Sequence, residues 1–333
     1  MVLPLASVHL AETRRRARLG QNPSCTPTDL KGNLLIRRII FCLLLAFLGA
    51  SAVAQKPARS CSNCAVWNQA QKPFRIFGNT YYVGPHGLSS ILITSPAGDV
   101  LIDGGIPASA KLIAANIRSL GFRVKDIKII LNSHIHFDHA GGLAVLQHMS
   151  GARVMASPWS AAVLRKGGVA RDDPQYGILQ PLVPVKNVHE LRDGETLRLG
   201  GISITAHFTP GHTPGGTSWT WQSCESSVCR DIVFADSLAP ISADGFKFSS
   251  SRDYPHALDD FEKSFRFLET TQCDILITTH PEASNLWDRL AAREKGATPD
   301  PMVNPLACKD LAKSARERLS QRLAEEHGSA TEK

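Results

Sequence analysis

His134-Ile135-His136-Phe137-Asp138-His139 places four metal-ligand side chains within six residues, just beyond the strand-like run Ile127-Lys128-Ile129-Ile130-Leu131. Imidazole nitrogen and carboxylate oxygen are good zinc ligands, and a catalytic zinc keeps one position open for water. His134 and His136 are two apart on extended chain, so both side chains project to one side and can share a metal. Asp138 and His139 follow on the turn and can reach a second metal. Each set needs a third ligand. His212, within Thr209-Pro210-Gly211-His212-Thr213-Pro214-Gly215-Gly216, caps a strand in a Gly/Pro turn and fits the first set. His280, within Ile277-Thr278-Thr279-His280-Pro281, caps another apolar strand and fits the second. A single histidine at a strand end more often serves structure than metal. Five histidines and one aspartate, two of the histidines on separate strand ends, outweigh that reading.

Outward from the histidine run, the pattern alternates strands with helices. Tyr81–Val83, Ser90–Thr94 and Val100–Ile102 read as strands, the last two joined by the turn residues Ser95-Pro96-Ala97-Gly98-Asp99. A helix follows, with Ile113, Ile117 and Leu120 on one face and Gly121 as its stop. Another opens at Gly141-Gly142-Leu143. The second half holds a hairpin, Thr196–Leu199 and Ile202–Ala206 around Gly200-Gly201. Further strands are expected at Thr217–Trp221, Ile232–Phe234 and Ile275–Ile277, with helices over His256–Leu268 and Leu311–Glu325. Strands and helices interleave twice, which predicts an α/β class: two mixed sheets packed face to face, with helices outside. Trp219 and Trp221 alternate with threonines along one strand and read as core. His86, His148, His189, His207 and His256 lack clustered partners and read as structural.

The ends bound the mature chain. Arg37-Arg38 precede the apolar run Ile39–Leu48, and Gly49-Ala50-Ser51-Ala52-Val53-Ala54 follows. This is a signal peptide with a cut after Ala54, and its apolar run is too short to span a bilayer. The expected division is an N-terminal extension and leader over 1–54 and one domain over 55–333. Gln55, not Cys, follows the cut, so no lipid anchor is expected. The leader carries seven Lys/Arg and two Asp/Glu, so the whole-chain charge of +7 less its +5 leaves +2. That excludes a charge argument for nucleic acid or a membrane surface. Cleavage also takes Cys25 and Cys42 from the eight cysteines. The remaining six, even in number in an exported chain, read as disulfides. Cys224 and Cys229 flank a short polar segment between two strands. Cys273 with Cys308 would tie the C-terminal region to the last core strand. Cys61 and Cys64 remain as a Cys-x-x-Cys in a polar stretch, expected as a local disulfide.

The chain resembles the metallo-β-lactamase superfamily. The shared marks are Leu101-Ile102-Asp103-Gly104-Gly105, the His-x-His-x-Asp-His run, Pro210-Gly211-His212-Thr213-Pro214-Gly215 and the late His280, spread over residues 75–325. The resemblance implies a four-layer αββα sandwich with a two-zinc site on its edge. Thr217–Trp221, Ala235-Asp236-Ser237-Leu238, Tyr254-Pro255-His256 and Thr279-His280-Pro281-Glu282-Ala283-Ser284 look like subclass B3 of the true metallo-β-lactamases. That implies His134, His136 and His212 on one zinc and Asp138, His139 and His280 on the other. It also implies Ser237 where subclass B1 keeps a Cys ligand, and disulfides Cys224/Cys229 and Cys273/Cys308. The pattern departs at Ala239, where relatives often carry a hydroxyl, and at Cys61/Cys64, which has no counterpart.

The resemblance further implies a periplasmic, monomeric hydrolase that opens β-lactam rings with a zinc-activated hydroxide. Its partner is the small-molecule antibiotic, with no nucleic acid and no membrane anchor. Asp138 would orient the nucleophile, Ser237 and Gln175 would meet the substrate, and Asp103 would buttress the histidine loop. Two other readings stay open. Thioesterases and lactonases of the superfamily place an Asp near position 236 to bridge both metals, which would make Asp236 a ligand. A non-catalytic zinc-binding protein is the third.

Overall fold

Residues 61–331 are described in this computed structural model of the chain, with side chains to residue 328; the leader expected over 1–54 lies outside the described residues. In chain order the elements begin with α1 (Cys64–Trp67), β1 (Phe74–Phe77), β2 (Thr80–Tyr82), β3 (Ile91–Ile93), β4 (Asp99–Ile102) and α2 (Ser109–Ser119). Next come β5 (Ile127–Leu131), the one-turn α3 (Phe137–Ala140), α4 (Leu143–Ser150), β6 (Arg153–Ala156), α5 (Pro158–Lys166) and β7 (Val188–Glu190). The second half runs β8 (Thr196–Leu199), β9 (Ile202–Phe208), β10 (Thr217–Glu225), β11 (Val228–Ala235), α6 (Ala257–Thr270), β12 (Ile275–Thr278), α7 (Leu286–Glu294) and α8 (Ala307–Thr331).

Two mixed sheets result. The first is seven-stranded and keeps chain order, antiparallel from β1 to β4 and parallel from β4 to β7. The second is five-stranded in the order β12-β11-β10-β9-β8, with only β11 and β12 parallel. The side-chain period of two divides each central strand between two cores. Ile232 and Phe234 of β11 and Ile275 and Ile277 of β12 meet Val100, Ile102, Ile129 and Leu131 of the other sheet. Trp219 and Trp221 fill the same inter-sheet layer. Leu101 and Ile130 instead face Ile113 and Ile117 of α2 and Leu143 and Leu146 of α4. Val233, Ala235 and Leu276 face Phe261 and Phe265 of α6 and Ala312 and Ala315 of α8. The layers are therefore helix, sheet, sheet, helix, as the sequence predicts.

The cysteines bond in the pairs Cys61–Cys64, Cys224–Cys229 and Cys273–Cys308. Cys224 stands opposite Cys229 across the β10–β11 hairpin, and Cys273 joins the start of β12 to α8. Among the described residues no helix is long and apolar enough to cross a membrane.

Several boundaries move from expectation. His256 caps the N-terminus of α6 rather than beginning it, and α8 starts at Ala307, four residues before Leu311. β1, β6, β7, α5 and α7 are unmarked in the sequence pattern. They are short, and β6 and β7 owe their strand form to a parallel partner rather than to alternation.

The ladder's carboxyl ends gather the chemistry, as open α/β sheets commonly do. β4 runs into Asp103, β5 into His134 and His136, β11 into Asp236, and β12 into His280. Trp219 is fully buried where the two sheets meet. Trp219→Ala should cost about 3–5 kcal/mol, read in urea unfolding as a lower midpoint with an unchanged slope.

Candidate metal centre

His134, His136 and His212 place one nitrogen each within 4.8 Å of one another, and Asp138, His139 and His280 do the same with two nitrogens and a carboxylate oxygen. All five imidazoles are largely withdrawn from solvent; His280, at the rim, is the most open. Hydrogen bonds at the far side of four of the five rings decide where their lone pairs point; His139 Nδ1 is buried with no partner among the described residues. His134 donates from Nδ1 to Asp236 Oδ1 at 2.7 Å, which leaves Nε2 buried and without a hydrogen-bond partner among the described residues. His136 donates from Nε2 to Asp173 at 3.0 Å, so its lone pair sits on Nδ1. His212 donates from Nδ1 to the Ala239 carbonyl at 2.7 Å, and its Nε2 then faces His136 Nδ1 at 3.2 Å. Two imidazole lone pairs at that distance repel unless a cation lies between them. The donor set therefore fits a metal ion, with three neutral nitrogens of the kind zinc takes.

The second set has the same logic. His280 donates from Nδ1 to the Gly87 carbonyl at 3.2 Å. Its Nε2 lies 3.3 Å from His139 Nε2, and each nitrogen is 3.3 Å from Asp138 Oδ2. Burial opposes ionisation of Asp138. The adjacent His139 and His280 outweigh it and hold the carboxyl well below the usual range. Burial, reinforced by the neighbouring histidines, pushes His134 well down. His212 is pushed down to about 3 by burial and then by His136. Both stay neutral near pH 7 and keep their lone pairs for a metal.

Buried carboxylates stand behind the cluster. Asp103 accepts from the Ser133 amide at 2.8 Å, the Ser133 hydroxyl at 2.6 Å and the Asn132 side chain at 3.3 Å. It holds this place with φ of 58°, a left-handed conformation that costs a non-glycine residue on the order of 1 kcal/mol or more. Burial pushes its pKa up to about 7 against those three bonds. Asp103 thus ties the end of β4 to the chain entering the histidine run. Asp236 is almost wholly buried, and its Oδ1 is on the far side of His134 from the clustered nitrogens. Gly216 makes room for it: a Cβ there would stand 2.4 Å from Asp236 Oδ2.

Asp173 is absent from the sequence reading and is as integral as Asp236. It fixes His136 and accepts the Gln175 amide at 2.8 Å. No sequence signal separates it from Asp172, which instead binds the Trp159 indole at 2.7 Å. The remaining histidines stay apart. His86 stacks on Trp287, His207 on Phe267, and His189 bonds Asn187.

A cleft of about 1060 Å³ opens over the two sets. Ser237, Ala239, Gln175, Ile178 and Trp67 line it with the candidate metal-ligand side chains. The Ser237 hydroxyl has no partner among the described residues. The Gln175 amide nitrogen lies 3.4 Å from His136 Nδ1, beside the bare cluster.

Comparison with known proteins agrees with this geometry. The model of the metallo-β-lactamase superfamily matches residues 83–280. The chain is similar to the Rm3 metallo-β-lactamase, with 55% identity and a TM-score of 0.79 over 80% of this chain and 99% of that one. It is similar to MEM-A1, a subclass B3 metallo-β-lactamase from a soil metagenome library, with 48% identity and a TM-score of 0.77 over 79% and 99%. Among curated relatives, it is 34% identical over 106 residues to a hydroxyacylglutathione hydrolase of Maricaulis maris (strain MCS10), covering 32% of this chain and 34% of that protein.

Asp236 and its bond to His134 generate a test. Asp236→Asn should weaken metal at the three-histidine set about 10- to 100-fold and spare the set built on Asp138. Competition titration with a chromogenic chelator measures both sites. Loss of both together would make Asp236 a bridging ligand.

Proposed function

Because the chain belongs to the metallo-β-lactamase superfamily, we propose that it hydrolyses the amide bond of β-lactam antibiotics with two zinc ions per chain. The mature domain is taken as 55–333, acting as a monomer in the periplasm after removal of the leader. The observation that carries the reading is the pairing of Asp236 with Ser237. The carboxylate that would bridge two metals in a thioesterase or lactonase is turned behind His134, and the next residue presents a free hydroxyl to the cleft. The extensive similarity to Rm3 and MEM-A1 supports the same conclusion.

His134, His136 and His212 would hold one zinc, and Asp138, His139 and His280 the other. When bound, zinc supplies a hydroxide nucleophile near neutral pH and polarises the scissile carbonyl. The chain does the rest. Asp138, kept ionised by its two histidines, accepts a hydrogen bond from the attacking water and orients it. Ser237 donates to the carboxylate that β-lactams carry beside the ring nitrogen. Gln175, at the edge of the first set, lies against the substrate on the other wall. Asp173 and Asp236 keep His136 and His134 in their tautomers, and Asp103 holds the chain that carries the histidine run through Ser133 and Asn132. Water adds OH to the carbonyl carbon and a proton to the nitrogen, the C–N bond breaks, and a ring-opened amino acid leaves.

Nitrocefin and meropenem should be turned over, with activity lost in EDTA and restored by zinc. Turnover of lactones or thioesters with none of β-lactams would overturn the reading in favour of another hydrolase. Two tightly held zincs without any turnover would point to a storage protein. Ser237→Ala should raise KM for meropenem about 10-fold, the value of one hydrogen bond to a charged group, with zinc content unchanged.

A further inference from the structure

The Cys61–Cys64 disulfide is unaccounted for by the metal centre, yet the turn it closes reaches the cleft. Cys61, Ser62, Asn63 and Trp67 all line it. α1 is a single turn, held by the disulfide and by the Asn63 carbonyl, which accepts from the Trp67 amide at 2.8 Å. The Trp67 ring lies 5.8 Å from the His280 ring, tilted by 47°.

Gly87 explains how the turn comes so near. Its amide donates to the Trp67 carbonyl at 3.1 Å, and its own carbonyl accepts from His280 Nδ1. A Cβ on Gly87 would stand 2.7 Å from Trp67 Cα and 3.1 Å from its Cδ1. Only glycine allows one backbone segment to pack between a tryptophan and a metal-ligand histidine. The chain after Trp67 is pinned as well. Asn68 accepts from the Ser109 hydroxyl at 2.7 Å, Gln69 accepts from the His86 amide at 2.9 Å, and Gln71 accepts from Asn116 at 3.1 Å.

Trp67 is partly buried rather than fully enclosed, and its indole N–H has no hydrogen-bond partner among the described residues. A large apolar ring left open at the mouth of a polar site is a binding surface more than a core residue. Ile178 and Ile241 line the same cleft and are exposed, so its walls carry apolar surface above a charged floor. That suits a ligand with a polar reacting centre and an apolar substituent.

We propose that Trp67 is a specificity-determining residue that packs against the apolar acyl substituent of the substrate, and that the Cys61–Cys64 cross-link positions it. The inference rests on the proposed β-lactam hydrolysis. The disulfide limits the freedom of a segment that has no other covalent tie and a helix too short to hold itself. Trp67 is then already in place when substrate arrives.

The test uses zinc-loaded enzyme and a matched pair of substrates, benzylpenicillin with its phenylacetyl group and 6-aminopenicillanic acid without it. Trp67→Ala should raise KM for benzylpenicillin about 10-fold, the scale of one lost apolar contact, and shift that of 6-aminopenicillanic acid far less. Trp67→Phe should recover most of the difference. The double variant Cys61→Ser/Cys64→Ser should move KM in the same direction by a smaller factor. Added to Trp67→Ala it should do nothing further, because it acts through Trp67. Zinc content, measured independently, should equal that of the wild type in every variant. Equal effects on both substrates, additive effects of the cysteine and tryptophan changes, or lost zinc would overturn the inference and leave the turn as a prop for His280. Wild-type enzyme inactive on both penicillins would instead overturn the β-lactam reading itself.

Discussion

Bare imidazole lone pairs facing one another in a buried site are the constraint on which the rest of this structure depends. His136 and His212 oppose nitrogens at 3.2 Å, and His139 and His280 at 3.3 Å. Neither pair is stable without positive charge between its members. Acceptors behind four of the five rings fix their orientation, while His139 Nδ1 is buried with no hydrogen-bond partner among the described residues. Asp236, Asp173, the Ala239 carbonyl and the Gly87 carbonyl each take one ring hydrogen, and so set which nitrogen faces the cluster. Burial keeps His134 and His212 from taking up a proton in a cation's place.

The scaffold supplies that precision through strand ends. The candidate ligands come from separate places in the chain, but β5, β9 and β12 lead into them, and β4 and β11 into the carboxylates behind them, at one edge of the sandwich. The inter-sheet core of Trp219, Phe234, Ile102 and Leu131 fixes the relation of the two sheets. Glycines then permit the close approaches that side chains would forbid. Gly216 leaves room for the Asp236 carboxylate, and Gly87 for Trp67. Asp103 contributes by holding a left-handed backbone that no turn glycine replaces, because its carboxylate is needed on Ser133.

Much of this is legible in residue patterns. The six-residue histidine run, its preceding strand and the His212 and His280 strand caps carry local signals that survive without tertiary context. So does the alternation that places Trp219 and Trp221 inside. Asp173 is not legible, since only the folded loop distinguishes it from Asp172. The turn at Cys61–Trp67 is equally silent: nothing in a polar N-terminal stretch says which wall it will cover. β6 and β7 are missed because a short parallel strand is defined by its neighbours.

The sequence by itself determined which donor side chains gather as candidate metal ligands, because residue identity and strand-end spacing are local properties of the chain. It also determined the layered α/β architecture, because side-chain periodicity is local too. Only the tertiary structure decided which of two adjacent carboxylates stands behind a histidine, and that Asp236 Oδ1 takes the far nitrogen of His134. Only it brought a disulfide-closed turn beside His280, through the backbone of Gly87. Those outcomes depend on which segments pack together across 37 residues for Asp173 and His136 and more than a hundred for the others. No periodicity records that, and hydrogen bonds such as that of Asp236 to His134 exist only once the sheets have met.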